Sequence, residues 1–336
     1  MLVVGEVMEP PFEQTRAKER AVLAEAGAEL VLAASIEEFR ELAPRADGVL
    51  HRRFRLRGPE LALLGRCRCI AHHAVGVDMI DTAEAARLGI VVANVPSYGP
   101  DDVADQAMML LLASARKLNQ QQAIASQDHW NIGDLVPIHR LRCRTLGILA
   151  VGRIGMQMAK RGQAFGLNVI ACDPYADPAV LTENGIEPVS FEQLLERSDY
   201  LSIHAPLTPE TRGLIDAAAL ARMKQGAIII NCARGPIIDE AALIAALESG
   251  HIAAAGLDVF AHEPPGLDDP IRTAPRTIMT PHAAFYSESS IESMQVDAAR
   301  EVAATLRGEI PPHPVILPGI DWSHAYRRWN LQPAAS

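Results

Sequence analysis

Apolar strands and amphipathic helices that alternate in two successive series predict an α/β protein of two parallel-sheet units with helices on both faces. Three observations carry that reading. The alternation runs over residues 2–93 and again over residues 145–279. A glycine turn, Ala150-Val-Gly-Arg-Ile-Gly155, joins an apolar strand to a helix, and Asp173 follows it by 18 residues. The chain has 336 residues, 49% of them apolar, which is about twice a usual domain and enough for two buried cores.

Each element has a local reason. Residues 2–5 and 30–32 are short apolar runs that read as strands, with a helix over 12–26 between them. Ser35-Ile-Glu-Glu38 has the spacing of a capping box, so a helix starts there. Strands are expected at 48–50, 69–73 and 90–93. The second series begins with a helix over 101–116, whose apolar run from Met108 to Leu112 suits burial within the chain or a dimer face equally. A strand at 145–150 and a helix at 153–165 flank the glycine turn, with Ile154, Met158 and Phe165 on the helix's inner face. Strands follow at 168–172, 200–204, 227–231, 253–257 and 277–279. A long helix over 287–307 stops at Gly308. Periodicity lets it close the second sheet or cross back to the first.

The glycine turn has the layout of a dinucleotide site, in which a helix N-terminus lies under a pyrophosphate. The amides of Arg153 and Ile154 would face that group, framed by Gly152 and Gly155. Ala150 stands at the first position of the fingerprint, so the tight turn must form with a Cβ present. Asp173 ends the next strand, where a carboxylate accepts from both ribose hydroxyls and repels a 2′-phosphate, which favours NAD over NADP.

Bulk properties narrow the partners. A net charge of −10, without a basic run longer than Arg327-Arg328, argues against nucleic acid and anionic membranes. No apolar run reaches the ~18 residues of a membrane span. The opening Met1-Leu-Val-Val-Gly-Glu lacks a basic region and a cleavage site, so a cytoplasmic protein is expected. Five cysteines, with Cys67-Arg-Cys69 lacking zinc-site spacing, read as reduced structural thiols, and no metal is expected.

Motifs in order then make a pattern: His72-His-Ala-Val-Gly-Val-Asp-Met-Ile-Asp81, Asn94-Val-Pro96, Val103-Ala-Asp105, Leu146-Gly-Ile-Leu-Ala-Val-Gly-Arg-Ile-Gly155, Asp173-Pro-Tyr175, His204-Ala-Pro-Leu-Thr-Pro-Glu-Thr211, Asn231-Cys-Ala-Arg-Gly235, Gly256-Leu-Asp-Val-Phe260 with Glu263-Pro264, and Thr280-Pro-His-Ala-Ala-Phe-Tyr-Ser-Glu288. Over residues 44–308 the chain resembles the D-isomer-specific 2-hydroxyacid dehydrogenases, and within them the branch that includes the C-terminal binding proteins. The resemblance implies two Rossmann-like or flavodoxin-like domains. A discontinuous substrate domain would comprise residues 1–97 and 288–336, and an NAD-binding Rossmann domain residues 98–287. Hinges would lie near 96–100 and 284–287, and a homodimer is expected.

His282 is the natural proton donor for reducing a 2-oxo acid, since imidazole changes charge near neutral pH. Glu263 would fix its tautomer and favour the imidazolium. Arg234 follows an apolar strand, where a guanidinium can fork onto a carboxylate and polarise the adjacent ketone; a surface salt bridge is its plainer use. The loop Ala74-Val75-Gly76 looks like a nest of amides for the substrate carboxylate, with Ala74 where the family usually has glycine. By resemblance, Arg52 and His72 contact substrate, and Phe285 forms a pocket wall where the branch usually has Trp. His204, Ala205 and Pro206 would pass beside the adenine ribose and phosphates. Cys232 and Ala233 would lie along the cofactor, and Asp258 would hold the nicotinamide carboxamide. The two tryptophans of the segment 321–330 suggest a docked tail, reaching across a subunit interface or fraying.

Overall fold

Strands whose residues are buried on both sides belong to a parallel sheet covered by helices, and both sheets of this protein have that character. The computed structural model describes residues 1–8, 16–126, 130–317 and 319–334. The chain forms two compact units, Met1–Gly99 with Ser287–Ser336, and Pro100–Tyr286. In the first, β1 (Leu2–Glu6), α1 (Arg16–Glu25), β2 (Glu29–Ala33), α2 (Ile36–Leu42), β3 (Gly48–His51), α3 (Gly58–Ala62), β4 (Cys69–His72), α4 (Thr82–Arg87) and β5 (Val91–Asn94) alternate. The expected helix over 12–26 is seen from Arg16; its first four residues lie outside the described part. Helix α2 starts as its sequence predicts, the Ser35 hydroxyl accepting from the Glu38 amide at 3.2 Å, although the Glu38 carboxylate returns to the Ala34 amide. All five strands are parallel, in the order β2-β1-β3-β4-β5. That order reverses between β1 and β3, the point at which such a sheet receives ligands at its carboxyl end.

The second unit opens with α5 (Pro100–Ala115) and α6 (Leu118–Ala125). It continues with β6 (Thr145–Leu149), α7 (Arg153–Ala164), β7 (Asn168–Cys172), α8 (Pro178–Glu183), β8 (Glu187–Pro188), α9 (Phe191–Arg197) and β9 (Tyr200–Ile203). Then come α10 (Ala217–Arg222), β10 (Ala227–Asn231), α11 (Glu240–Glu248), β11 (Ile252–Leu257) and β12 (Thr277–Met279). The seven strands are parallel in the order β12-β11-β10-β9-β6-β7-β8, with the reversal between β6 and β9. Leu110, Leu111, Ile148 and Met158 fill one face of this sheet, and Leu194, Ile203, Ile229 and Leu243 fill the other. Leu110 and Leu111 of α5 are fully buried in their own unit, while Met109 stays 45% exposed. Burial within the chain therefore accounts for most of that helix's apolar run. Phe165, expected on the inner face of α7, is instead 49% exposed. It is the C-cap residue, one step past the last helical turn, and no longer follows the helix's inward stripe.

Past the second unit, α12 (Glu288–Leu306) returns to the first and packs on α1, β3 and β4. Ile291, Met294, Ala298 and Val302 are its buried stripe. Burying each larger side chain of that stripe contributes roughly 1.5–3 kcal/mol, which fixes the partner that periodicity left open. Helix α13 (Ser323–Trp329) docks on the same unit. Trp322 Nε1 donates to the Val315 carbonyl and Trp329 Nε1 to the Gly89 carbonyl, both at 2.8 Å, and Arg328 reaches the Leu88 and Gly65 carbonyls. The tail is thus held by its own unit. Among the described residues no helix is long and apolar enough to cross a membrane.

Candidate active site

The turn after β6 is built around an alanine in a glycine's conformation. Ala150 has φ +71°, its amide donates to the Cys172 carbonyl at 2.9 Å, and the next amide, Val151, donates to Asp173 Oδ2 at 2.8 Å. Gly152 caps α7 without a side-chain bond, so the first-turn amides of Arg153, Ile154 and Gly155 keep their donors. A Cβ at Gly155 would stand 2.4 Å from the Ala150 carbonyl oxygen, whereas one at Gly152 would meet nothing within 4 Å. The turn is therefore closed on the helix side and open where a backbone can receive a ligand. Asp173 Oδ1 accepts from the Tyr175 amide at 2.8 Å, which leaves a lone pair on each oxygen for further donors.

A left-handed alanine costs about 1–2 kcal/mol, partly offset by the lower chain entropy that alanine loses on folding. The substitution Ala150→Gly is expected to stabilise the protein by about 0.5–1 kcal/mol. An unchanged or lower thermal midpoint would show that the turn carries no such strain.

Across the reversal point, the His204 amide donates to the Leu149 carbonyl at 2.9 Å, which brings the end of β9 beside the glycine turn. Ser202 Oγ lies 2.9 Å from His204 Nε2, while Nδ1 is enclosed without a partner among the described residues. Burial pushes the pKa of this imidazole down to about 4. A base whose folded pKa lies below its unfolded value of 6.5 gives stability that is fully present above pH 6.5 and lost as pH falls toward 4. At pH 5 the loss from His204 alone is expected to be about 2 kcal/mol. Denaturant unfolding at pH 7 and pH 5 checks it: His204→Asn should flatten the difference, and parallel curves for both proteins would refute the assignment.

The ends of β10, β11 and β12 carry the remaining candidates of this unit. After β10, Asn231 accepts from the Ala233 amide and donates to the Arg234 carbonyl, both at 3.0 Å, so the Cys232–Arg234 turn is held from its own strand end. Arg234 Nη1 donates to the Ala233 carbonyl at 2.7 Å. Cys232 is buried, and burial with the nearby Asp258 charge pushes its thiol well above the usual range, which leaves it a neutral wall.

His282 has φ +52°, with its amide bonded to the Asp258 carbonyl at 2.8 Å. Its Nδ1 lies 2.5 Å from Glu263 Oε2, and Glu263 Oε1 accepts from the Phe260 amide at 2.9 Å. Burial alone would raise the Glu263 carboxyl. The bond and charge of His282, the Phe260 amide and the Arg234 charge outweigh it and hold the group below its usual value. A pocket of about 500 Å³, lined by Phe260, Pro264, Arg272, Met279 and Pro281, opens beside this pair.

Asp258 follows the end of β11 directly. It is fully buried, with Oδ1 accepting from Thr280 Oγ1 at 2.5 Å and the Ala283 amide at 3.0 Å, and Oδ2 from the Ala284 amide at 2.8 Å. This carboxylate clamps the loop that bears His282. Phe285 is half-buried against the core of the same unit.

In the first unit the strand ends hold a buried polar row. Glu6, at the end of β1, accepts from the Arg52, Arg53 and Phe54 amides at 2.7–3.3 Å. The anion that this loop's amides would bind is therefore supplied by the chain itself. His51 Nδ1 is 2.7 Å from His72 Nδ1, and His51 Nε2 is 2.5 Å from the Phe54 carbonyl, so Nε2 carries the hydrogen and Nδ1 accepts from His72. Burial lowers the His51 pKa, in keeping with a neutral ring. Arg52 donates to the His73 carbonyl and to the Met294 sulfur, both at 3.3 Å. His72 is 4% exposed, whereas Val75 is 41% exposed on the following loop. Glu6, His51 and Thr280 were not singled out in the sequence, although an acid ending an apolar strand and a histidine pair at one register were the available signals.

Thus Arg234, Glu263 and His282 lie in the second unit, as do Gly152, Arg153, Ile154, Gly155, Asp173 and His204, while Arg52, His72, Val75 and Gly76 belong to the first. The open face at Gly152, the unbonded first-turn amides of α7 and the orphaned His204 nitrogen fit a dinucleotide.

Comparison with known proteins agrees. Residues 108–284 match the NAD binding domain of the D-isomer specific 2-hydroxyacid dehydrogenases. The D-3-phosphoglycerate dehydrogenase of Mycobacterium leprae is 39% identical over 277 residues, 82% of this chain but 52% of that protein, so the chain spans about half the length of such relatives. The glyoxylate reductase of Korarchaeum cryptofilum is 39% identical over 251 residues, 74% of this chain and 76% of that protein. The crystal structure of a D-lactate dehydrogenase with NAD+ from Lactobacillus jensenii superposes with a TM-score of 0.78 at 30% identity, covering 94% of this chain and all of that one. With the glycine turn, Asp173 and the His–Glu pair on one sheet, this chain belongs to the D-isomer specific 2-hydroxyacid dehydrogenase family.

Proposed function

We propose that this protein is an NAD-dependent D-2-hydroxyacid dehydrogenase. The observation that carries the reading is the 2.5 Å Glu263–His282 pair, built on the same sheet as the glycine turn and Asp173. Bound NADH would supply the hydride that reaches C2 of a 2-oxo acid. Because Nδ1 of His282 is committed to Glu263, Nε2 is the nitrogen that gives its proton to the carbonyl oxygen, and in reverse takes it from the hydroxyl. The ionised Glu263 favours the imidazolium that donates. In the second unit, Arg234 is proposed to polarise the ketone of the substrate; in the first, the Val75 and Gly76 amides are proposed to receive a carboxylate. The first unit is then the substrate-binding domain and the second the NAD-binding domain, with Asp173 selecting NAD over NADP.

Relatives named for phosphoglycerate, glyoxylate and lactate chemistry leave the substrate side chain to experiment. A closer kinship with the C-terminal binding proteins, and with it an NAD(H)-sensing role with little turnover, rests on Arg52, His72 and Phe285 and is the lesser reading. Self-association into a homodimer is proposed on the exposed apolar side chains Leu118, Trp130, Ile132 and Val136, which sedimentation velocity would test. Absorbance of NADH is the functional test, with glyoxylate, pyruvate, hydroxypyruvate, 2-oxoglutarate, phenylpyruvate and phosphohydroxypyruvate. Turnover on one acid, lost in His282→Ala, supports the dehydrogenase. Tight NADH binding with no turnover above that variant rejects it for these acids.

A further inference from the structure

The loop Ala74-Val75-Gly76 is held by its carbonyls. The Val95 amide donates to the Ala74 carbonyl at 3.3 Å, and Asn94 Nδ2 donates to the Val75 carbonyl at 2.6 Å. In a trans peptide the C=O and the following N–H lie in one plane and point in opposite directions. Tying the Ala74 carbonyl toward β5 therefore aims the Val75 N–H away from it, and tying the Val75 carbonyl does the same for the Gly76 N–H. Among the described residues neither of these amides meets an acceptor. One carbonyl is gripped by backbone, which any residue at 95 other than proline supplies. The other depends on a side chain at the end of β5, itself anchored where the Asn94 amide donates to the His313 carbonyl at 3.2 Å.

We infer that Asn94 is a positioning residue for substrate: its carboxamide fixes the direction of the Gly76 N–H, and so turns the loop into a preformed carboxylate receptor. The inference rests on the proposed role of the Val75 and Gly76 amides. Asn94 does not touch the reacting atoms; without it the Val75–Gly76 peptide is free to rotate, and a carboxylate must order it on binding.

Two variants separate this from a general structural role. Asn94→Ala should raise KM for the 2-oxo acid, and weaken oxamate binding to the NADH-loaded protein, by about three- to ten-fold, the usual worth of one hydrogen bond. NADH affinity and kcat should stay within about two-fold of wild type, as expected when only carboxylate ordering is affected. Asn94→Asp places a carboxylate against the Val75 carbonyl at neutral pH, so its KM relative to wild type should be higher still. That ratio should shrink as pH falls toward about 4, where the protonated acid regains a donor. Unchanged KM and oxamate affinity in Asn94→Ala, with an active wild type, would overturn the role of Asn94 and leave the proposed function standing. A wild type that binds NADH but neither turns over an acid nor binds oxamate would overturn both. An Asn94→Asp penalty that does not vary with pH would show that packing, not donation, is what the position requires.

Discussion

Replacing His282 by alanine should lower kcat by about 10²–10⁴-fold while NADH binding, read by fluorescence, stays within about two-fold. The size follows from what the site offers. Reduction of a 2-oxo acid leaves an alkoxide that must be protonated as it forms, and His282 Nε2 is the donor that the Glu263 bond leaves available. Glu263→Gln keeps the shape but removes the charge that favours the imidazolium, so a smaller fall, about 10- to 100-fold, is expected. The ring sits on a left-handed residue whose loop is clamped by Asp258 through Thr280, Ala283 and Ala284. Stopped-flow with saturating NADH and the best substrate of the panel gives the number. A His282→Ala enzyme with near wild-type kcat would remove this residue from the chemistry.

The second large effect is expected at Gly155. A methyl there would lie 2.4 Å from the Ala150 carbonyl oxygen, a backbone atom that no rotamer change can move. Relief requires α7 to shift from the end of β6, which displaces the first-turn amides proposed to receive the pyrophosphate. Overpacking of this kind costs about 1–3 kcal/mol. If it falls on the cofactor site, NADH affinity drops by about 10- to 100-fold. Isothermal calorimetry on folded Gly155→Ala protein, checked by circular dichroism, tests it. Gly152→Ala is the contrast, because its Cβ meets no protein atom and only a bound ligand would feel it. If Gly155→Ala binds NADH as wild type does, the turn is not the dinucleotide cradle.

Much of this is legible in the amino-acid sequence. Short continuous apolar runs between helices of period 3.6 identified both parallel sheets, because a strand buried on both faces has to be apolar throughout, as 48–50 and 227–230 are. The glycine turn and Asp173 declared a dinucleotide site because a helix N-terminus, a close backbone approach and a ribose acid each demand one residue type at a fixed spacing. His282 and Glu263 could be named from chemistry and motif. Their 2.5 Å contact could not, since it depends on two loops meeting at the ends of β11 and β12.

What the sequence determined by itself was the local structure and the chemical inventory: where strands and helices lie, which turn must hold glycine, and which side chains can move a proton or bind an anion. Tertiary structure alone decided their partners. It set α12 on the first sheet, turned Phe165 outward and buried Asp258 as a loop clamp. It also placed Glu6 in the amide nest of residues 52–54 and hung the Val75 carbonyl on Asn94. The physical reason is that periodicity records how much surface a residue must bury but not against what. A carboxylate or amide reads the same in sequence whether it faces a ligand or a neighbouring loop. Only the register β1-β3-β4-β5, fixed by long-range strand pairing, brings those strand ends together.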